Sequence, residues 1–254
     1  MFSGPRASTR YILSLNSLPL AGRVRASPNP SHEGRGNLSN SLYPLNIYGG
    51  PVPATKLILI RHGRTDWSDQ KRYCGWSDVP LNDRGRDQAG ELGKKMQGRA
   101  VHKIYSSTMK RAVQSAGIVF TGRPVELVEE LREMSFGLWD GLTHQEIMAQ
   151  DSQAYSQWLE NPLCVTPPEG ENLSALARRV REKLREILEE NHSKTIALFT
   201  HGGPIKIILC DIQELGLENI WKVQYDWAQA CVIDFASEKR DSYSGEWKGE
   251  LWEN

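Results

Sequence analysis

The fold of this chain is constrained most strongly by two short apolar runs that each end in a histidine followed by a glycine. Residues 57–60 run into Arg61-His62-Gly63, and residues 195–199 run into Thr200-His201-Gly202. Apolar runs of this length predict buried strands. If both strands lie in one parallel sheet, their carboxyl ends meet at the edge where α/β proteins bind ligands. The pattern therefore predicts two imidazoles and an arginine at one site, a cationic pocket suited to a phosphoryl group.

Strand and helix patterns alternate along the chain from residue 56 onward. Strands are predicted at residues 56–60, 101–106, 125–127, 195–200 and 230–235, and helices at 82–96, 107–119, 143–159, 173–190 and 204–215. In the helix at 173–190, apolar residues recur every three or four positions and form one face. Such alternation predicts an α/β fold, specifically a three-layer sandwich with a mainly parallel central sheet.

The composition limits which cellular compartment and which classes of binding partner we expect. The 254 residues have a formal net charge of zero, so no global field attracts nucleic acid or an anionic membrane. No apolar run approaches the roughly 20 residues that span a bilayer. The four cysteines are scattered without Cys-x-x-Cys spacing, which argues against a disulfide framework or a zinc site. We expect a cytoplasmic protein without nucleic-acid or membrane partners; whether it forms a homo-oligomer is left open.

The first 54 residues differ from the rest. They hold 7 of the 13 prolines, five arginines, no lysine, and Glu33 as the one acidic residue. This composition favours disorder. Three interpretations compete: a transit-type peptide, a weak secretory signal near residues 11–21, or an upstream extension without function. We expect residues 1–54 to be a disordered or non-native extension and residues 55–254 to form the functional domain.

The residues at the first strand end suit phosphoryl transfer. A neutral imidazole is a nucleophile when a backbone carbonyl holds its other ring nitrogen and so fixes the tautomer. Arginine donates two hydrogen bonds to one phosphate, and Gly63 allows the backbone to approach a ligand closely. The leaving alkoxide then needs a proton from a carboxylic acid.

Four motifs in order carry a recognisable resemblance. These are Arg61-His62-Gly63-x-Thr65 with Gly75-Trp76-Ser77-Asp78 following, Ser106 to Ala116 around Arg111, Leu131-Arg132-Glu133 through Trp139-x-Gly141, and Thr200-His201-Gly202. Together they resemble the histidine phosphatase superfamily, the phosphoglycerate-mutase-like proteins. The resemblance covers nearly everything after the N-terminal stretch and implies the phosphoglycerate-mutase-like version of the predicted sandwich.

The resemblance also implies roles for individual residues. His62 would become phosphohistidine, Glu133 would be the proton donor and later the base for water, and three side chains would surround the phosphate: Arg61, Arg111 and His201. The family needs no metal, and no cofactor is expected. The backbone of Gly202 would add a donor. Gly75, Ser68 and Cys74 are expected to bind substrate, although Ser68 replaces the asparagine of many relatives and Cys74 replaces Thr, Ser or Gln.

Other aromatic and histidine residues are expected to be structural. Trp67, Trp76 and Trp139 are predicted to pack around the pocket. The remaining histidines, at positions 32, 102, 144 and 192, are predicted to lie on the surface. For Cys74 an inert thiol is favoured over a reactive one.

The resemblance implies a small phosphate ester as the substrate, and the sequence favours one reaction on it. The predicted helix at 143–159 lacks Arg and Lys, whereas mutases of the family carry extra basic residues after the acid motif. Hydrolysis is therefore favoured. Residues 133–139, 147–158 and 168–171 resemble α-ribazole phosphatases, which implies dephosphorylation of α-ribazole 5′-phosphate or its cobamide-linked form. A phosphoglycerate mutase, a sugar-bisphosphate phosphatase and a non-catalytic phosphate-binding protein are the alternatives.

Overall fold

The computed structural model describes residues 55–235. The predicted N-terminal extension at 1–54 and the last residues of the predicted domain lie outside the described residues. The described part is built around a single sheet, whose strands follow the predicted positions closely. The strands are β1 (Thr55–Arg61), β2 (Lys103–Ser107), β3 (Glu126–Val128), β4 (Thr195–Thr200) and β5 (Ala230–Phe235).

Six helices and three 3-10 turns connect the strands. The helices are α1 (Asp66–Asp69), α2 (Asp83–Met96), α3 (Lys110–Val119), α4 (His144–Glu160), α5 (Leu173–Glu190) and α6 (Gly202–Ile212), and the 3-10 turns are Glu129–Leu131, Gly137–Trp139 and Leu217–Lys222. None of the described helices is both long and apolar enough to cross a membrane.

The sheet is mainly parallel, as the alternation predicted. Its strand order is β3-β2-β4-β1-β5, and only β5 runs antiparallel, along β1. The register of the central pair places Arg61 opposite Thr200, and the His62 amide donates to the Thr200 carbonyl at 3.1 Å. Both histidines therefore leave the sheet side by side at its carboxyl edge.

Two apolar cores, one on each face of the sheet, complete the predicted three layers. Side chains alternate along a strand, so Leu57 and Leu59 face α5 and α6, whereas Ile58 and Ile60 face α2 and α3. The predicted apolar face of α5 is buried along its whole length. Burial on both sides explains why β1 is a continuous apolar run rather than an alternating one.

The structure differs from the predictions mainly at helix ends. Helix α3 begins at Lys110 instead of 107 because β2 continues through Ser107, which pairs with Val128. Helix α6 begins at Gly202, two residues before Pro204, and ends at Ile212 rather than 215. Helix α4 is kinked at Asp151, whose carboxylate accepts from the Ala154 amide and so caps a new helical segment.

Candidate active site

His62 lies at the end of β1 with its imidazole held in one tautomer. Its Nδ1 is 2.7 Å from the Gly63 carbonyl oxygen, which can only accept, so Nδ1 carries the proton and Nε2 has a free lone pair. The ring is 6% exposed. Burial, then the charges of Arg111 and Arg61, hold the His62 pKa well below its usual value. The side chain is therefore neutral near pH 7, as nucleophilic attack requires.

His201 lies beside His62, with 5.0 Å between the ring centroids. Its Nδ1 accepts from Arg111 Nε at 3.2 Å, and its Nε2 is 2.7 Å from the Ser107 hydroxyl. Because the guanidinium donates to Nδ1, the proton of the neutral ring is on Nε2. Burial is the main cause that holds the His201 pKa well below its usual value, followed by Arg111. Two neutral imidazoles thus share the site.

Arg111 is fully buried and projects from the first turn of α3. Its guanidinium donates to the carbonyl oxygens of Ser77 at 2.9 Å, Gly75 at 2.7 Å and Cys74 at 3.2 Å, besides His201. These backbone acceptors fix the plane of the cation without neutralising its charge. Arg111 is therefore not a surface charge.

Asp140 holds the loop that positions Arg111. One carboxylate oxygen accepts from the Gly75 amide at 2.7 Å, and the other accepts from the Ser77 amide and hydroxyl, each at 2.8 Å. The loop carbonyls then point toward the guanidinium. Sequence reasoning missed Asp140, although an acid between Trp139 and Gly141 in the third motif was the available signal.

Arg61 is held by the loop before β5 and borders the amino end of α6. Its Nη1 donates to the Tyr225 carbonyl at 2.6 Å, and the centre of the Trp227 ring lies 4.4 Å from its central carbon. A Cβ at Gly202 would lie 3.3 Å from Nη2. The buried Nε has no hydrogen-bond partner among the described residues. Burial is the main cause that lowers the Arg61 pKa. Nη2 makes no hydrogen bond with residues 55–235 and is the donor that suits an anion.

Sequence reasoning also missed Trp227. Its ring contacts both Arg61 and Arg64, at 4.4 Å and 4.5 Å. The next residue, Ala228, has a left-handed backbone with φ of 54° and donates its amide to the His62 carbonyl at 3.1 Å. The loop before β5 is thereby fixed against the end of β1. Nothing in the sequence indicated a contact between Arg61 and Trp227, which are 166 residues apart.

Glu133 lies at the amino end of α6. Its two carboxylate oxygens accept from the Gly203 amide at 3.0 and 3.1 Å, and one also accepts from the Met134 amide at 2.9 Å. The amides at the amino end of the helix thereby hold the carboxyl group in one position. Glu133 and Arg61 both approach Gly202. A Cβ built at Gly202 would lie 3.6 Å from a carboxyl oxygen of Glu133 and 3.3 Å from Nη2 of Arg61.

A partly buried arginine anchors the backbone that carries Glu133. Arg179 donates to the carbonyl oxygens of Glu130 at 2.5 Å, Arg132 at 2.8 Å and Glu133 at 2.9 Å, and to both carboxylate oxygens of Glu171 at 2.7 Å. Sequence reasoning missed this residue because three arginines, at 178, 179 and 181, border the apolar face of α5. The helical pattern alone does not tell which of them points inward.

The polar side-chain groups of two predicted substrate-binding residues, Ser68 and Cys74, make local contacts. The Ser68 hydroxyl donates to the Thr65 carbonyl and accepts from the Thr65 amide, forming the cap of α1. The Cys74 thiol is 3.9 Å from the Ser77 carbonyl, and burial raises its pKa to about 11. Substrate binding by Ser68 and Cys74 stays a prediction. The raised pKa of Cys74 favours an inert thiol over a reactive one.

Two glycines are required by close backbone packing. A Cβ at Gly63 would lie 2.4 Å from the Gly85 carbonyl of α2, so helix packing rather than ligand approach accounts for this glycine. A Cβ at Gly75 would lie 2.5 Å from the Met134 carbonyl. Gly75 therefore keeps the Arg111 loop close to the segment that bears Glu133.

The structure agrees with the predicted positions of most tryptophans and of the other described histidines, and differs at Trp76. Trp139 is buried, as predicted, and Trp67 packs against Gly141. Trp76 is 45% exposed, with its indole nitrogen donating to the Glu133 carbonyl at 2.8 Å and the Arg132 guanidinium 4.2 Å from its ring. The predicted packing role is thus incomplete for Trp76. The histidines at 102, 144 and 192 are exposed, as predicted, and His32 lies outside the described residues.

The fold, with two histidines and two arginines brought together at one edge of the sheet, defines an α/β protein of the phosphoglycerate-mutase-like class. The family model described as histidine phosphatase superfamily (branch 1) matches residues 57–244. The chain belongs to this superfamily, and it is a phosphatase.

Relatives and solved structures agree with this membership. Phosphoserine phosphatase 1 of Hydrogenobacter thermophilus is 30% identical over 180 residues, covering 70% of this chain and 85% of the relative. The adenosylcobalamin/alpha-ribazole phosphatase of Escherichia coli is 30% identical over 181 residues, covering 70% and 89%. The structure of Bacillus stearothermophilus YhfR superimposes with a TM-score of 0.69 at 32% identity, covering 77% of this chain and 96% of that one.

Proposed function

We propose that this chain hydrolyses small phosphate monoesters through a phosphohistidine at Nε2 of His62. The observation that carries the proposal is the hydrogen bond of 2.7 Å between His62 Nδ1 and the Gly63 carbonyl. It leaves the Nε2 lone pair free in a buried ring that is neutral. A nucleophile that needs no prior deprotonation suits attack on phosphorus.

In the first half-reaction, Nε2 forms a bond to phosphorus while the bond from phosphorus to the ester oxygen breaks. Glu133 gives its proton to the departing oxygen, so the alcohol leaves neutral. The free donor edge of Arg61, the charge of Arg111 and the amino end of α6 at Gly202 stabilise the charge on the non-bridging oxygens. His201 completes the enclosure of the phosphoryl group.

In the second half-reaction, water replaces the alcohol. The Glu133 carboxylate accepts a proton from water as its oxygen attacks phosphorus, and the bond from phosphorus to Nε2 breaks. His62 returns to its neutral state and inorganic phosphate leaves. A single carboxyl group serves both halves because the alcohol and the water occupy the same side of the phosphoryl group.

For the alcohol, we propose α-ribazole, free or linked to a cobamide. The support is Trp76, an exposed indole whose nitrogen is bonded to the backbone of the proposed acid, Glu133. α-Ribazole carries a flat benzimidazole, and aromatic rings stack on indole faces. The Escherichia coli relative, named for α-ribazole and adenosylcobalamin, adds to this support.

The chemistry is tested by trapping the intermediate. Brief mixing with a ³²P-labelled monoester followed by alkaline denaturation should leave acid-labile phosphate on the wild type and none on His62→Ala. In Glu133→Gln, turnover should fall about 10²–10⁴-fold while inorganic phosphate still inhibits. Equal labelling of wild type and His62→Ala would refute the nucleophile.

The alcohol is tested with a matched pair of substrates. We expect kcat/KM for α-ribazole 5′-phosphate to exceed that for ribose 5-phosphate, which lacks the base. Trp76→Ala should lower only the first value, by about tenfold, since stacking contributes about 1–3 kcal/mol per base, and Trp76→Phe should retain most of it. A wild type that treats both esters alike would refute the proposed alcohol.

A further inference from the structure

The guanidinium of Arg179 uses all five of its N–H groups inside the protein. Its Nε and one Nη2 hydrogen point to the two carboxylate oxygens of Glu171, both at 2.7 Å. The other three donate to the carbonyl oxygens of Glu130 at 2.5 Å, Arg132 at 2.8 Å and Glu133 at 2.9 Å. An arginine side chain has five such donors. Arg179 therefore acts on the protein itself rather than on a ligand.

Two of these carbonyls belong to the peptide groups on either side of the Glu133 Cα. Peptide groups are planar, so the backbone at Glu133 is defined by the relative orientation of those two planes. One guanidinium thus holds both backbone dihedral angles of the proposed acid. The amides of Gly203 and Met134 hold its carboxyl group. The backbone and the carboxyl group of the acid are therefore fixed by different partners.

Glu171 fixes the plane of the Arg179 guanidinium. The two side chains form an ion pair through both carboxylate oxygens, and they are mostly buried, with 13% of the Glu171 side chain and 19% of the Arg179 side chain exposed. Such a two-oxygen pair aligns the two planar groups. Without Glu171, the guanidinium would keep its charge but lose the contact that directs its other three N–H groups.

The loop that carries Glu171 also bonds to the segment that carries the acid. The Glu171 amide donates to the Ser135 carbonyl at 2.8 Å, and the Leu138 amide donates to the Pro168 carbonyl at 2.9 Å. These bonds join the loop to the segment at 133–138 at two points. The position of Glu171 is thereby set relative to the acid.

We propose that Glu171 is a positioning residue for proton transfer by Glu133. Through Arg179, it holds the acid at the distance and angle from the departing oxygen that proton donation requires. Glu171 acts through Arg179 and contacts no substrate itself. The positioning role rests on the proposed chemistry of Glu133 and is independent of which alcohol leaves.

Two esters that differ in their need for a proton test the proposal. Phenyl phosphate and 2,4-dinitrophenyl phosphate share one ring, but dinitrophenolate is a weak base and leaves without a proton. In Glu171→Gln, kcat/KM for phenyl phosphate should fall about 10- to 100-fold, the range for a hydrogen bond to a charged group. The value for the dinitrophenyl ester should change little. A merely structural role would lower both values alike, because kcat/KM includes every step up to the departure of the alcohol.

Companion variants separate charge from geometry. Arg179→Lys keeps the cation but lacks the planar fork, so it should lower kcat/KM for phenyl phosphate alone, as Glu171→Gln does. Glu171→Asp keeps the charge on a shorter side chain and should retain part of this activity. Glu169→Gln removes an exposed acid from the same loop and should leave both esters unchanged. Inhibition by inorganic phosphate should be equal in all variants, and urea unfolding checks that they fold.

Glu133→Gln in the same assay distinguishes failure of the positioning role from failure of the chemistry. If Glu133→Gln loses activity on phenyl phosphate alone, but Glu171→Gln affects both esters alike or neither, the positioning role is overturned and the acid stands. If Glu133→Gln itself affects both esters alike, the acid assignment fails and the positioning role fails with it. Should Glu171→Gln not fold, Arg179→Lys and Glu171→Asp decide by the same comparison.

Discussion

The two buried imidazoles should make the free energy of unfolding decrease as the pH is lowered from 7.5 to 5.5. Most carboxylates do not titrate in this range. His62 and His201 are neutral in the folded protein because burial and nearby arginines hold each pKa well below 6.5. In the unfolded chain both regain ordinary values of about 6.5. Below that pH the unfolded state binds more protons than the folded state, so stability is lost as pH falls.

The size of this loss in unfolding free energy follows from the one proton that each histidine binds in the unfolded chain. Between pH 7.5 and 5.5, an unfolded histidine with a pKa of about 6.5 gains about 1.4 kcal/mol of protonation free energy that the buried ring does not. The pair therefore contributes about 2.7 kcal/mol of destabilisation, a large share of a typical 5–15 kcal/mol. At an ordinary slope, the urea midpoint should fall by roughly 1 M or more.

Urea unfolding at pH 7.5, 6.5 and 5.5 in phosphate-free buffer measures this loss. His62→Gln keeps a neutral side chain of similar size and removes one of the two protons. Its midpoint should shift about half as much as that of the wild type over the same pH range. A pH dependence in His62→Gln equal to that of the wild type would show that His62 is not a buried neutral group.

Three further predictions concern the supporting residues. Asp140→Asn should raise the inhibition constant for inorganic phosphate about tenfold, because it weakens the charged bonds that hold the Arg111 loop; an unchanged constant contradicts this. Trp227→Leu should raise the same constant about 3- to 10-fold by freeing Arg61, while Trp227→Phe restores most affinity; equal effects of both replacements would argue against the ring contact. Cys74, with its pKa raised to about 11, should resist iodoacetamide at pH 8 in the native protein and react after denaturation in urea. Rapid native labelling, read by mass spectrometry, would contradict the inert thiol.

Much of the fold could be predicted from local patterns. Continuous apolar runs identified the strands at 195–200 and 230–235 with their observed bounds, and the three-and-four spacing identified α5 with its observed bounds. The errors were at ends set by pairing or capping, such as the start of α3. Strand pairing extends β2 through Ser107, and no local signal reports a pairing with a distant strand.

The sequence by itself also determined the reacting groups that we propose. His62 was indicated by its place at the end of an apolar strand, and Glu133 and His201 were implied by the resemblance of the four motifs to the superfamily. The sequence could not determine which contacts hold these groups, and the arginines around them, in position. Three of the four acceptors of Arg111 are backbone carbonyls, and any residue type supplies a carbonyl.

The tertiary structure alone decided the supporting contacts. Trp227 reaches Arg61, and Arg179 reaches the Glu133 backbone, across 166 and 46 residues of chain. Such contacts arise when parallel strands and the helices that cover them bring distant segments to one sheet edge. The sequence therefore determined which groups can react, through side-chain chemistry and local periodicity. Only the packing of distant segments decided which cations have all their donors bonded within the protein, such as Arg111, and which keep unbonded donors, such as Arg61.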